Sequence, residues 1–94
     1  MIRVIIERHI APSLEGPYEE VSRRTLQQAV SAPGFISGES LKDFHNENTR
    51  VILSNWRSIQ DWQRWHASDE RKEMMAEMSP ILETEEKITV LELA

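Results

Sequence analysis

The chain has 94 residues, no cysteine and a net charge of −5 at neutral pH. That length suits one small domain, residues 1–94, and excludes a two-domain enzyme. The missing cysteines exclude disulfides, thiolate nucleophiles and Cys-ligated metals, and the absence of a long apolar leader adds to the prediction of a cytoplasmic protein. The acidic balance argues against nucleic-acid binding, and no apolar run is long enough to predict a membrane span.

The first third of the chain predicts a strand followed by a helix. Apolar side chains occupy alternate positions over residues 2–8, which is typical of a strand. Pro17 suits the first turn of a helix that runs to about Ala32. The dipeptide Pro33-Gly34 then ends that helix.

The remaining segments predict two more strands, a broken helix and a closing strand. Residues 35–42 and 50–56 are joined by a polar turn and predict a hairpin. Ser58 and Ser68 each precede a carboxylate by a few residues, so each is predicted to cap a helical segment. Alternation over residues 86–93 predicts the last strand. The order β-α-β-β-α-β is that of an α+β, ferredoxin-like antiparallel sheet with both helical segments on one face.

The first strand offers two different faces to the rest of such a fold. The apolar set is Ile2, Val4 and Ile6, and the mixed set is Arg3, Ile5 and Glu7. If the apolar set points away from the helices, a second copy of the chain must bury it, and the mixed set lines a pocket under the helices. The opposite assignment places the apolar set under the helices and leaves an outer face that a monomer tolerates. Strand parity alone does not choose between the two.

A pattern of tryptophans and serines in the second half resembles the antibiotic biosynthesis monooxygenase domain. Trp56 ends the third predicted strand, Ser58 follows as a cap, and Trp62, Trp65 and Ser68 come at the spacing of that family. The helix-to-strand corner and the closing strand match as well, so the resemblance covers almost the whole chain. Similar domains are homodimers in which two sheets form a dimeric α+β barrel. The resemblance therefore favours the assignment in which the apolar set lies between two copies.

The resemblance also implies a chemistry. Some members are monooxygenases that need no cofactor and oxidise phenols, anthrones or quinols with molecular oxygen. Such an enzyme needs a base or an anion-stabilising group inside an apolar pocket, because the substrate itself must supply the electrons. The candidates are polar or aromatic residues at strand ends and on the second helix: Glu7, His9, Asn55, Trp65 and His66 as catalytic residues, and Trp56, Trp62 and Met75 as substrate-binding residues.

Two other functions compete with this one. Haem-degrading relatives use an Asn, a Trp and a His, whose positions here fall on Glu7, Trp65 and Met75, so two of the three are replaced. We therefore expect no cofactor, and the scattered His9 and His66 form no metal-binding motif. The second competitor is a non-catalytic small-molecule binding or dimerisation module, because the sequence contains no complete catalytic constellation.

Overall fold

A computed structural model describes all 94 residues, Met1–Ala94. Its strands and helices alternate in the predicted order: β1 Ile2–His9, α1 Glu15–Ala29, β2 Phe35–Asp43, β3 Asn46–Trp56, α2 Ile59–His66, α3 Asp69–Met78 and β4 Lys87–Glu92. The four strands form one antiparallel sheet in the order β2-β3-β1-β4, and the helices cover one of its faces. The predicted ferredoxin-like α+β fold is confirmed.

Both predicted serine caps are present. The Ser58 hydroxyl accepts a hydrogen bond from the backbone N–H of Asp61 at 3.2 Å and donates one to its carboxylate at 2.9 Å. The Ser68 hydroxyl accepts from the backbone N–H of Arg71 at 3.2 Å. Each cap satisfies a donor that the first helical turn leaves free. The second helical region therefore breaks at Ser68 and restarts as α3.

Two predicted boundaries differ from those observed. Helix α1 ends at Ala29, before the predicted end at about Ala32. Pro17 lies in its first turn as predicted, where a residue without an N–H is tolerated. Strand β3 begins at Asn46, earlier than the polar composition of the turn predicts. The hairpin turn therefore contains only Phe44 and His45, and the asparagines that follow belong to the strand.

The assignment that places the apolar set of β1 away from the helices is wrong. Ile2, Val4 and Ile6 are buried under the helices in one cluster with the three tryptophans. The register explains this, because Ile2 lies directly opposite Trp56 on β3 and the two side chains share a face. The tryptophans need apolar partners on the inner face of the sheet, and the apolar set of β1 provides them. A second apolar cluster under α1 and α3 continues the core beyond Ile10.

The mixed set of β1 lies on the opposite, outer face of the sheet, which nothing in the chain covers. Ile5 stands there between Leu53 of β3 and Thr89 of β4, and Leu91 lies beside Arg3. This outer face combines half-buried or exposed apolar residues with charged ones. The predicted pocket lined by the mixed set is therefore absent from the space under the helices.

Candidate active site

A small cavity of about 40 Å³ lies between the helices and the inner face of the sheet. The tryptophans and the apolar side chains around them form most of its wall, and a few polar groups complete it. The polar side chains on the wall are Arg8, Ser22, Thr25, Ser54 and Arg71. A mostly apolar wall with a few polar groups is the usual composition of a small-molecule site.

The three tryptophans form the aromatic part of the wall. Trp56 is almost fully buried, and its ring lies stacked on Trp65 with centroids 6.3 Å apart and edge-on to Trp62 at 5.8 Å. The indole N–H of Trp56 donates to the Ser54 hydroxyl at 3.0 Å, which fixes the orientation of the ring. These contacts join the three tryptophans in one aromatic cluster.

Two buried arginines share one buried glutamate beside the cavity. Arg8 donates through Nε to Glu86 at 2.9 Å, and Arg71 donates through Nη2 to the other carboxylate oxygen. All three side chains are less than a tenth exposed. Burial alone raises the pKa of Glu86, but attraction to Arg8 and Arg71 outweighs it and holds the pKa below its ordinary value. The glutamate is therefore ionised at neutral pH.

A tyrosine extends this network towards a third buried arginine. Tyr18 is almost fully buried on α1, and its hydroxyl accepts a hydrogen bond from Arg8 at 3.4 Å. The guanidinium carbons of Arg8 and Arg50 lie 5.9 and 5.5 Å from the Tyr18 ring centre. Arg50 is held by the Glu47 carbonyl and by the exposed Glu19. Buried positive charge thus exceeds buried negative charge on this side of the sheet.

An open groove of about 710 Å³ runs between α1 and the α2–α3 region. Its wall is mostly polar, and it shares Thr25, Trp65 and Met74 with the inner cavity. These three side chains therefore stand between the cavity and the open surface. Methionine is the most adaptable of them, because its unbranched chain changes rotamer at low cost.

Three of the predicted catalytic residues do not face this cavity. Glu7, His9 and Asn55 lie on the outer face of the sheet, on the opposite side from Trp65. Asn55 accepts a hydrogen bond from Arg3 at 3.2 Å and donates to Ser37 at 3.0 Å. The expectation that these residues join Trp65 in one chamber is wrong. The error follows directly from the inverted face assignment of β1.

Of the other predicted site residues, the three tryptophans line the cavity, whereas His66 and Met75 lie outside its wall. His66 is exposed and packs on Trp62 with centroids 5.4 Å apart. Partial burial, and then the charge of Arg71, lower the pKa of His66 below its ordinary value. Met75 lines a separate surface hollow beside Leu82. Met74, the preceding residue, lines the cavity instead.

The sequence analysis missed the buried arginines, although a signal for them exists. Arg8 has the same strand parity as the apolar set of β1, so burying that set also buries Arg8. Arg50 shares its face with Ser54 and Trp56 on β3 for the same reason. Arg71 precedes Met74 by three residues and therefore lies on the buried stripe of α3.

The fold and the site define a ferredoxin-like α+β domain with a small cavity between sheet and helices. The family model of the antibiotic biosynthesis monooxygenases matches residues 1–77. The chain belongs to that family. A search of curated proteins found no significant match.

Solved structures support the fold at low sequence identity. A conserved protein from Methanosarcina mazei Go1 superposes with a TM-score of 0.91 at 19% identity, covering 96% of this chain and 89% of that one. SnoaB, a cofactor-independent oxygenase from Streptomyces nogalater, superposes with a TM-score of 0.88 at 14% identity, covering 98% of this chain and 91% of that one. Rv0793 from Mycobacterium tuberculosis superposes with a TM-score of 0.90 at 15% identity, covering 99% of this chain and 94% of that one. At these identities the likeness establishes the shared fold alone.

Two further structural findings bear on the functional alternatives. No helix combines the length and the apolar character needed to cross a bilayer. The structure brings together no group of three His, Asp or Glu side chains that could hold a metal ion.

Proposed function

We propose that the chain is a monooxygenase that needs no cofactor and oxidises a small phenolic, anthrone or quinol-type compound with molecular oxygen. The observation that carries the proposal is the cavity under the tryptophans, in a member of the antibiotic biosynthesis monooxygenase family. Its aromatic wall of Trp56, Trp62 and Trp65 suits a flat ring. The similarity to SnoaB, a cofactor-independent oxygenase, adds support at the level of the fold.

The proposed reaction balances without an external reductant. For an anthrone, the methylene carbon loses two hydrogens and gains one atom of O2 as a carbonyl oxygen. The second oxygen atom leaves as water with those hydrogens, so the substrate supplies all four electrons that O2 accepts. The rate-determining requirement is an anionic form of the substrate, because the anion gives up an electron to oxygen far more readily than the neutral compound. Preorganised hydrogen-bond donors in a mostly apolar cavity stabilise such an anion more strongly than water does.

An oxygen electrode tests this proposal directly. The purified chain is assayed with a panel of anthrones, quinols and flavonols in the presence of a metal chelator and without flavin. We expect oxygen uptake matched to product formation. Trp65→Phe keeps a buried ring but reduces the aromatic contact, so the rate should fall roughly threefold to tenfold. Val30→Ala, at an exposed position on the C-terminal end of α1, should leave the rate unchanged.

Two results would contradict the proposal. Uptake no faster than in protein-free buffer, across the whole panel, would remove the catalytic function. Loss of activity in Glu7→Gln with the oligomeric state unchanged would move the site to the outer face of the sheet.

The non-catalytic binding module remains the second candidate because the cavity wall contains no His, Asp or Glu that could act as a general base. About 40 Å³ holds a few water molecules, whereas sites for drug-sized ligands reach roughly 300 Å³ and more. The monooxygenase function therefore requires Met74 and its neighbours to move when substrate enters. Binding of a panel compound without any turnover would favour the module.

We further propose that the chain forms a homodimer through the outer face of its sheet. That face exposes Leu41 and Leu91, each more than two-fifths exposed, around the half-buried Ile5, Val51 and Leu53. A contiguous apolar strip on an uncovered sheet is the usual mark of an interface. This dimer places the mixed set of β1 between the two copies, whereas the dimer expected from the sequence placed the apolar set there.

A further inference from the structure

We infer that the cavity is an anion site, in which Arg8 and Arg71 hold a carboxylate or an ionised hydroxyl group of an aromatic ligand. This inference rests on the proposed function only in taking the cavity as the place where the ligand binds. It adds that the ligand is negatively charged, which the aromatic wall alone does not indicate.

The local charge balance is the first support. Arg8 and Arg71 are at most 5% exposed, and the one buried carboxylate between them is Glu86. Two guanidinium groups against one carboxylate leave one unit of positive charge beside the cavity. Arg50, on the far side of Tyr18, is paired with Glu19 and adds nothing to this excess. An excess cation in an apolar surrounding is stabilised by an anionic partner.

The unused hydrogen-bond donors are the second support. A guanidinium carries five N–H groups. Arg8 uses two of them, towards Glu86 and Tyr18, and the Arg71 side chain uses one, towards Glu86. Both side chains form part of the cavity wall. No buried side-chain nitrogen lacks a hydrogen-bond partner, so the free donors of Arg8 and Arg71 are atoms that solvent reaches. An oxygen atom placed in the cavity could take the place of that solvent.

The chemistry of the wall is the third support. The charged side chains that line the cavity are Arg8 and Arg71, and neither accepts a proton at neutral pH. The wall is thus built to stabilise an anion rather than to create one by general-base catalysis. A cationic wall also lowers the pKa of a bound phenol, which favours the ionised form.

Glu86 has a positioning role in this arrangement. It binds both arginines through separate carboxylate oxygens and so holds the two guanidinium groups on one side of the cavity. The ring of the ligand then lies towards Thr25, Trp65 and Met74, the residues shared with the open groove. The anionic group enters first, and the 40 Å³ cavity is large enough for it alone.

Binding measured by tryptophan fluorescence tests the inference, because Trp65 lies where the ring would pass. One arm compares 2-naphthoate with neutral 2-naphthamide, and a second compares ionised 4-nitrophenol with 4-nitroanisole by calorimetry. The anion of at least one pair should bind about tenfold to a hundredfold more tightly than its neutral partner, the value of one charge-assisted hydrogen bond. The arm that gives the larger ratio identifies a carboxylate or a phenolate as the preferred group.

Variants of Arg71 assign the selectivity to the cavity. Arg71→Gln should bring the anion-to-neutral ratio close to one, and Arg71→Lys, which keeps the charge and the pairing with Glu86, should retain part of it. Arg23→Gln removes an arginine from the exposed surface of α1 and should leave the ratio unchanged. Circular dichroism confirms that each variant is folded.

The outcomes separate this inference from the proposed function. Equal affinity for both members of each pair, no saturable binding of any probe, or an unchanged ratio in Arg71→Gln would overturn the inference. Oxygen uptake at a rate that Arg71→Gln leaves unchanged would overturn it too and leave the monooxygenase function standing. Selective anion binding without oxygen uptake would support the inference and reject the monooxygenase function.

Discussion

At the scale of single residues, the fold depends on two buried arginines that share one glutamate. Arg8 and Arg71 would each be costly inside the domain alone, and Glu86 makes both tolerable by binding one with each carboxylate oxygen. Glu86 lies just before β4, in a segment rich in glutamates. Its neighbours Glu83 and Glu85 are exposed, so composition does not distinguish the structural carboxylate from the solvated ones.

Removal of the buried carboxylate should destabilise the fold. Glu86→Gln leaves two buried guanidinium groups without a counter-charge, so we expect a loss of about 3 kcal/mol or more in the free energy of unfolding. Urea denaturation measures this loss. Glu83→Gln, which changes an exposed glutamate three residues earlier, should have almost no effect.

The same substitution should alter the dependence of stability on pH. Because the pKa of Glu86 is lower in the folded state, its contribution is complete above the ordinary value of 4.5 and is lost as the pH falls through the lower folded-state value. The wild-type chain should therefore lose stability in that acidic window, and Glu86→Gln should lose less. Parallel curves for the two proteins would show that the ion pairs contribute little.

At the scale of elements, the corner between α1 and β2 positions the tryptophan helix. Gly34 has a positive φ of 81°, and its carbonyl accepts a hydrogen bond from the backbone N–H of Arg57 at 2.7 Å. The Asp61 side chain of α2 lies against the Gly34 Cα, where a Cβ would collide with it. The corner thus brings the start of α2 close to β2, with Trp62 and Trp65 on the cavity side.

Substitution at this corner should weaken the whole domain. Gly34→Ala imposes the left-handed conformation on an L-residue, at about 1–2 kcal/mol, and adds the collision with Asp61, so we expect a loss of about 2 kcal/mol or more. Gly16 in α1 provides the matched control, because a Cβ there meets no atom within 4 Å. Gly16→Ala should be neutral or stabilise by about 0.5 kcal/mol. Thermal unfolding that ranks the two variants in the reverse order would contradict this account.

The elements that the sequence predicts well are those with a local physical cause. Ser58 and Ser68 cap helices through contacts three residues away, and alternation over β1 specifies a strand without reference to the rest of the chain. The orientation of β1 depends instead on what packs above it. Only the register with Trp56 decides that question, and the candidate residues chosen from β1 failed because this tertiary information was missing.

The site shows the same division between local and tertiary information. Trp56, Trp62 and Trp65 lie within ten residues of one another, so a common environment was predictable from spacing. Arg8, Arg71 and Glu86 are separated by up to 78 positions and meet only in the folded chain. Strand and helix periodicity indicates that Arg8 and Arg71 are buried, but nothing in a single sequence indicates that both pair with Glu86.

At the scale of the whole molecule, the sheet has one covered and one uncovered face. The accessible surface is 5991 Å², against about 5,600 Å² expected from the mass of a compact monomer. Part of the excess belongs to the β2–β3 hairpin, whose tip residue Phe44 is 93% exposed. A pair of chains joined through the outer face would bury the apolar strip around Ile5 on both copies at once, as a twofold interface requires.

A substitution on the outer face tests whether that face is a dimer interface or merely an exposed apolar surface. Leu53 lies opposite Ile5 on that face, so Leu53→Glu would place an unpaired charge in the middle of the interface. We expect the dimer to weaken by about 3 kcal/mol or more, which is over roughly a hundredfold in Kd. Val30→Glu changes an exposed apolar residue on the helical side, and it should leave the dimer intact. Analytical ultracentrifugation measures the oligomeric state. A stable wild-type monomer, or a Leu53→Glu variant that is still an unchanged dimer, would show that the outer face has another role.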